Sequence, residues 1–248
     1  MKLRFTGTLY GDCTVKKKTS RDFRRRASLL IDDRLLIDAT AELADFIDFY
    51  GFPELWQDIR AVLISSADPR LLSAETLSRL ARGREITVYA PPEAEEFFPR
   101  EENLHFVPLR PFSMTDVIDY KVFALPTDTV GEYNYAICRD RAILCLPQGG
   151  ILPASVLRAL NGVVFDLLIA NCPLLDAPPT EEIYRHGSLT VWRLMRNVLT
   201  ASGNLGERSR FLLTALPTDK KRSIHDEISA LAAEEKMTVA SDGYFLTF

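Results

Sequence analysis

Apolar positions along the chain fall into short runs and alternations broken by polar punctuation, and their spacing predicts alternating strands and helices. Residues 3–8 read as a strand that runs out at Gly7 and Gly11. Within 27–40, two apolar triplets, Leu29 to Ile31 and Leu35 to Ile37, flank Asp32-Asp33-Arg34, a pattern that predicts a hairpin. Residues 43–50 have helical spacing and stop at Gly51 and Pro53. A buried strand over 61–64 breaks off in the polar segment 65–70. A helix over 73–82 follows, ended by Gly83, and then a strand over 86–89. Strand, polar loop, helix and strand in that order form an α/β crossover.

The second half repeats this style. Strands are expected at 122–125, 133–138 and 142–146, a helix over 153–160 with Pro153 at its first position, and a continuously apolar strand over 164–170. In the helix expected over 188–201, Ser188 is the cap, Val191, Leu194, Met195 and Val198 make one face, and Gly203 ends the run. A strand over 211–215 leads to a last helix from Ser223, with Asp226 as a capping-box-like partner. Residues 237–240 and 244–248 are expected to pair as a closing hairpin around Asp242-Gly243. Two strand-rich halves, each followed by helices, suit one domain over 1–248, a sandwich of two sheets flanked by helices. An open dinucleotide-binding sheet is disfavoured because no G-x-G-x-x-G follows the first strand.

Composition narrows the function classes. With 47% hydrophobic and 26% charged residues in 248, the chain has the make-up of a globular protein with a sizeable core. Its 30 basic and 34 acidic residues are interspersed, which argues against a dedicated nucleic-acid binder. The one basic run, Lys16-Lys17-Lys18 with Arg21 and Arg24-Arg25-Arg26, is expected to be a solvated loop. No segment reaches the ~18 apolar residues of a spanning helix, and Arg4, Thr6 and Gly7 interrupt any secretory signal, so no membrane role and a cytoplasmic location are expected. Cys13, Cys138, Cys145 and Cys172 are scattered. Burial is expected for most, with Cys13 in an exposed loop.

Several segments carry a family resemblance: MKLRFTGT, RRRASLLIDDRLLIDAT, the AVLISS strand, RAILCLPQGGILP, HGSL, and the ending HDEISALAAEEKMTVASDGYFLTF. Together, in this order and over nearly the whole chain, they resemble the metallo-β-lactamase superfamily. Within it they are similar to the phosphodiesterase-like hydrolases, among them the cyclic ribosyl phosphate phosphodiesterase. The resemblance implies an α/β fold, a four-layer αββα sandwich with two pseudosymmetric halves. It also implies a dinuclear metal site that holds a hydroxide and clamps phosphate oxygens.

The positions that the resemblance assigns to metal ligands do not carry them. The loop expected to read H-x-H-x-D-H reads Ser66-Ala67-Asp68-Pro69-Arg70-Leu71, so serine and aspartate replace two histidines and arginine replaces the aspartate. The later histidine falls near Thr129, the bridging aspartate at Gln148 and the last histidine at Ala215. A guanidinium at position 70 would repel a cation. No metal is therefore expected. Zinc or manganese enters only under the alternative reading, an active metal-dependent hydrolase recruiting Asp68, Asp128 or His186.

Three histidines remain. His186, in HGSL, resembles a substrate-contacting or proton-transferring histidine of the phosphodiesterase-like branch and is the best candidate for a catalytic role. His225 is expected to be structural and His105 to lie on the surface. A Ser66, His186, Asp68 triad lacks the G-x-S-x-G elbow, and Gly149-Gly150 lacks the lysine of a phosphate loop. The expected protein is a non-catalytic or impaired hydrolase homologue. Its old cleft, lined by Ser66, Asp68, Arg70, Thr129, Gln148, His186 and Ala215, would hold a small phosphate or carboxylate through Arg70 and His186. A protein-interaction module with a vestigial cleft is the remaining alternative. Nothing in the sequence sets the oligomeric state.

Overall fold

A computed structural model describes residues 1–15, 17–178 and 180–248, together with the main chain but not the side chains of 183 and 184. Lys16, part of the basic run, lies outside the described residues. The strands are β1 (Lys2–Gly7), β2 (Ser28–Ile31), β3 (Leu35–Ile37), β4 (Ala61–Leu63), β5 (Ile86–Ala90), β6 (Leu104–Pro108), β7 (Met114–Val117), β8 (Tyr120–Pro126), β9 (Tyr133–Cys138), β10 (Ala142–Leu146), β11 (Phe165–Asn171), β12 (Leu205–Thr214), β13 (Thr238–Val239) and β14 (Phe245–Thr247). The helices are α1 (Leu43–Tyr50), α2 (Leu55–Asp58), α3 (Ala74–Leu80), α4 (Ala154–Ala159), α5 (Glu182–Arg185), α6 (Leu189–Ala201) and α7 (Ile224–Glu234).

The strands form two seven-stranded sheets, ordered β14-β1-β2-β3-β4-β5-β6 and β13-β12-β11-β10-β9-β8-β7. In each, three antiparallel pairings give way to three parallel ones, the change coming at β3 in the first sheet and β10 in the second. The two halves thus share one connectivity except at one edge, where β14 from the far end of the chain takes the place that β7 holds by running directly into β8.

Strands buried on both faces explain the unbroken apolar runs. Leu29, Ile31, Leu35 and Ile37 face Tyr135, Ile137, Ile143 and Ile169 in the core between the sheets. Their neighbours Leu30 and Leu36 pack outward against Phe46 and Ile47 of α1 and Leu77 of α3. On the other side Leu144, Leu168 and Leu213 lie under Val156 of α4, Trp192 and Met195 of α6, and Ile228 of α7. Three apolar layers separate four layers of secondary structure, the αββα sandwich expected.

Local signals placed most elements. Gly51 ends α1 in the left-handed conformation (φ 71°), and the Ser73 and Ser188 side chains accept from Thr76 N and Val191 N to cap α3 and α6. The structure corrects four expectations. The closing hairpin does not exist: β13 pairs with β12 in the second sheet and β14 with β1 in the first, so the turn at Gly243 crosses between sheets. Apolar runs around a turn look the same in either case. Leu194 is exposed, and α6 buries Leu189, Val191, Trp192, Met195 and Leu199 instead, because the helix leans on its Trp192 side. The edge strands β6 and β7 bury one residue each, carry no two-sided apolar signal and escape the sequence reading. Finally, only part of the basic run is solvated: Lys17, Lys18 and Arg21 are exposed, whereas Arg24 and Arg25 are buried.

Arg24 is only 1% exposed. Its Nη1 donates to Thr8 Oγ1 (2.7 Å) and Ala240 O (2.9 Å), and its Nη2 lies 2.9 Å from His225 Nδ1. Burial lowers the Arg24 guanidinium pKa, while Asp242 and Asp22 raise it. Arg25 bonds Asp45 and Asp242, with Phe23 and Phe49 ring faces nearby. The basic segment is a clamp between the chain's early and late parts, and His225 is the buried structural residue expected.

Candidate functional site

All parallel strands of one sheet point the same way, and in both sheets the chain leaving their C-terminal ends builds one cleft, the usual location of sites in such sheets. Asp38 follows β3, Ser66 to Leu71 follow β4, Pro147 to Gly149 follow β10, Asn171 ends β11, and Thr214 and Ala215 close β12. Leu9 to Gly11 after β1, Arg26 and Ala27 before β2, Glu132 before β9 and His186 complete a cleft of about 240 Å³.

The two halves are stitched together here. Tyr133 N donates to Ser65 O (2.7 Å), Ala67 N to Gly131 O (2.9 Å), and Leu216 N to Thr8 O (2.9 Å). Asp38 (φ 62°) and Ala215 (φ 50°) both sit in the left-handed region, strain that alanine in particular tolerates only where surrounding bonds impose it.

Of the expected residues, Ser66, Asp68, Arg70, Gln148, His186 and Ala215 line this cleft. Thr129, like Asp128, lines instead a neighbouring cavity of about 580 Å³, with Gln148 and Gly149 common to both. Asp38, Glu132, Asn171, Thr214, Tyr10 and Arg26 complete the site and were not singled out by sequence. The LIDAT and LIAN strand ends that carry Asp38 and Asn171 are polar breaks in apolar runs, a readable if weak signal.

Arg70 grips Asp68. Its Nε is 3.0 and 2.9 Å from the two carboxylate oxygens, and its main-chain N donates to Oδ1 at 2.8 Å. This contact holds the Asp68 carboxyl below the usual carboxylate range and raises the Arg70 guanidinium. Arg70 is otherwise open to solvent, its side chain 62% exposed against 27% for Asp68, and its Nη1 has no bond among the described residues. Ser66, Asp68 and His186 do share the cleft, but Asp68 orients an arginine and not the histidine, so they form no triad.

At the floor, Asp38 accepts from Ser65 N (2.7 Å) and from Ser65 Oγ (2.7 Å), and Gln148 Nε2 donates to Ser65 Oγ (2.8 Å). With Asp38 ionised, the order of donors is fixed. The Ser65 hydroxyl gives its one hydrogen to Asp38, so the Gln148 atom facing it is the amide nitrogen, and Oε1 is turned away. Burial pushes the Asp38 carboxyl up to about 7, against the pull of its Ser65 bonds. Burial also raises Glu132, whose bond to Thr127 Oγ1 (3.3 Å) and the nearby His186 pull it back. His186 lies 6.0 Å from the Tyr10 ring, centre to centre. Asn171 positions its surroundings: Nδ2 donates to Pro147 O (3.0 Å) and Gly149 O (2.9 Å), and Oδ1 accepts from Gly187 N (3.0 Å).

This donor set does not fit a dinuclear metal centre. Ser66, Gln148 and Ala215 offer a hydroxyl, an amide and a methyl, and Asp68 is neutralised by Arg70. Among the described residues no three His, Cys, Asp or Glu side chains are grouped so as to hold a metal ion.

No protein-family model and no curated protein matches the chain. Solved structures do. YhfI of Bacillus subtilis, a metallo-β-lactamase fold protein, superposes with a TM-score of 0.72 at 15% identity over 99% of each chain. A diphosphatase of the PhnP family gives 0.73 at 18% identity over 100% of this chain and 97% of its own. The short form of human tRNase Z gives 0.72 at 13% over 100% and 99%. Two mirrored sheets, helices on both outer faces and a cleft at their shared strand ends thus have counterparts along almost the full chain, and the protein has the metallo-β-lactamase fold.

Proposed function

We propose that this protein is a binding member of a hydrolase fold, a non-catalytic homologue that holds a small acidic metabolite in the cleft without metal. One observation carries the reading: the Asp68–Arg70 pair stands where a metal-binding loop is expected, with the outer part of the guanidinium free. A guanidinium with unfilled N–H groups binds carboxylate or phosphate through charge-assisted hydrogen bonds. His186, which lines the same cleft, would add one more. A diphosphatase and a tRNase Z stand among the similar structures, which favours a phosphate-bearing ligand.

Two measurements test this. After incubation with zinc or manganese and desalting, the protein should retain far less than one metal per chain. Carboxylate or phosphate compounds should raise the melting temperature of the wild type but not of Arg70→Ala. Near-stoichiometric metal would overturn the proposal in favour of a hydrolase with an atypical site. Equal stabilisation of both proteins by every anion would remove Arg70 from it.

A further inference from the structure

The cleft's charges do not cancel once its internal pairs are taken out. Arg70 is engaged by Asp68, and Arg26 by Glu42 (3.0 Å) and Asp12 (3.7 Å), two residues outside the cleft wall. Glu132 is left near one histidine, His186, and Asp38 is buried on its Ser65 bonds. The Glu132 carboxylate is held by the Thr127 hydroxyl at 3.3 Å and by the Thr129 side chain, modest support for a half-buried charge. Gln148 turns its carbonyl oxygen away from Ser65, and no donor reaches it among the described residues.

A second observation comes from deeper in. Thr214, 8% exposed, lines both the cleft and a small cavity of about 30 Å³ beneath it, and its buried Oγ1 has no partner. Asp38, Ala27 and Pro147 also border both spaces, so the inner cavity, walled by Phe5, Leu29 and Ile169, continues the cleft inward. Glu132 and the Gln148 carbonyl are thus weakly provided with donors and the Thr214 hydroxyl beneath them has no partner, while the outer edge of the Arg70 guanidinium is open to solvent.

We propose that the ligand is a small zwitterion, an amino acid or aminoalkyl phosphate, whose ammonium group enters toward Glu132 and the Gln148 carbonyl while its acidic group stays on Arg70. Buried carboxylates at Glu132 and Asp38 hold their protons more tightly than usual, the behaviour of acceptors that lack a cation. The inference rests on the metal-free binding reading and specifies its ligand.

The test compares compounds that differ only by the amine: γ-aminobutyrate against butyrate, and phosphoethanolamine against ethyl phosphate, measured by calorimetry and thermal shift on the full chain. The amine-bearing member of each pair should bind about tenfold tighter or more, as expected for a hydrogen bond to a charged group. Glu132→Gln should bring the two members of each pair together while keeping the acid's dependence on Arg70. The comparison on the unaltered protein needs no variant, so a Glu132→Gln protein that fails to fold does not remove the test. Equal or tighter binding of the compounds without an amine would overturn the zwitterion and leave the acidic-ligand reading intact. If neither member binds and Arg70→Ala changes nothing, both readings fall together.

Discussion

Gln148 and Ser65 meet across the seam between the two sheets, the Gln148 amide donating to a Ser65 hydroxyl that donates on to Asp38. Gln148→Leu keeps the bulk and removes one bond. The loss should be about 1 kcal/mol, lowering the melting temperature by roughly 2–4 °C. Gln148→Glu sets a carboxylate against a hydroxyl oxygen with no hydrogen to give. Melting curves should show the glutamate variant less stable than the leucine variant at pH 8, and the gap should close toward pH 5. A glutamate variant as stable as wild type at pH 8 would mean that the donor order is reversed.

Asp38 carries a pH dependence of known sign. Its carboxyl titrates near 7 in the folded protein, against the ordinary value of 3.8. Between those values the folded state holds a proton that the unfolded state has released. Its contribution to stability is therefore lost as pH rises from about 4 to 7 and is constant above. The melting temperature of wild type minus that of Asp38→Asn should shrink between pH 5 and 8. A difference that does not change with pH would refute the assignment.

His225 has the opposite sign. Burial first, then Arg24 and Arg21, lower its pKa from 6.5, opposed by Asp226 and Asp22. Below about 6.5 the unfolded chain takes up a proton that the folded chain refuses, so stability is lost as pH falls. His225→Gln, which keeps an acceptor for Arg24, should lose less stability than wild type between pH 7 and 5. Parallel curves for the two proteins would show that the imidazole is not held neutral.

Gly187 has no room for a side chain. A Cβ there would lie 2.0 Å from Asn171 Oδ1 and 2.2 Å from Asn171 O, so Gly187→Ala must push the segment off its anchor. Overpacking of this kind costs roughly 1–3 kcal/mol. Because His186 precedes it, the His186 ring resonances should shift in the NMR spectrum as well. Unchanged stability together with unchanged resonances would contradict the geometry.

The fold was legible wherever burial writes itself into composition. Leu29 to Ile31, Leu35 to Ile37 and Leu167 to Ala170 are apolar throughout because their strands face a packed layer on either side, and Gly51, Ser73 and Ser188 mark helix ends. Strands β6 and β7 were illegible because edge strands such as Met114–Val117 bury little. At the site, Ser66, Asp68, Arg70, Gln148, His186 and Ala215 were found from the resemblance, which fixes positions along the chain. Glu132 was missed in favour of Thr129, three residues away, because which of the two faces the cleft depends on the bridge between Ser66 and Glu132. Asp38 and Asn171 act through bonds to Ser65 and Gly187, residues far from them in sequence, and no local pattern records such partners.

The buried Arg24 joins residues 201 and 216 positions further along, and Asp242 joins Thr8 across 234. These contacts set the wall at Leu9 and Arg26, so the cleft cannot be finished until residues 225–242 have left the ribosome. Pairings of such long range are slow to form. A growing chain can assemble its first sheet early, lacking only β14, but its cleft is closed only after the segment from His225 to Asp242 has emerged.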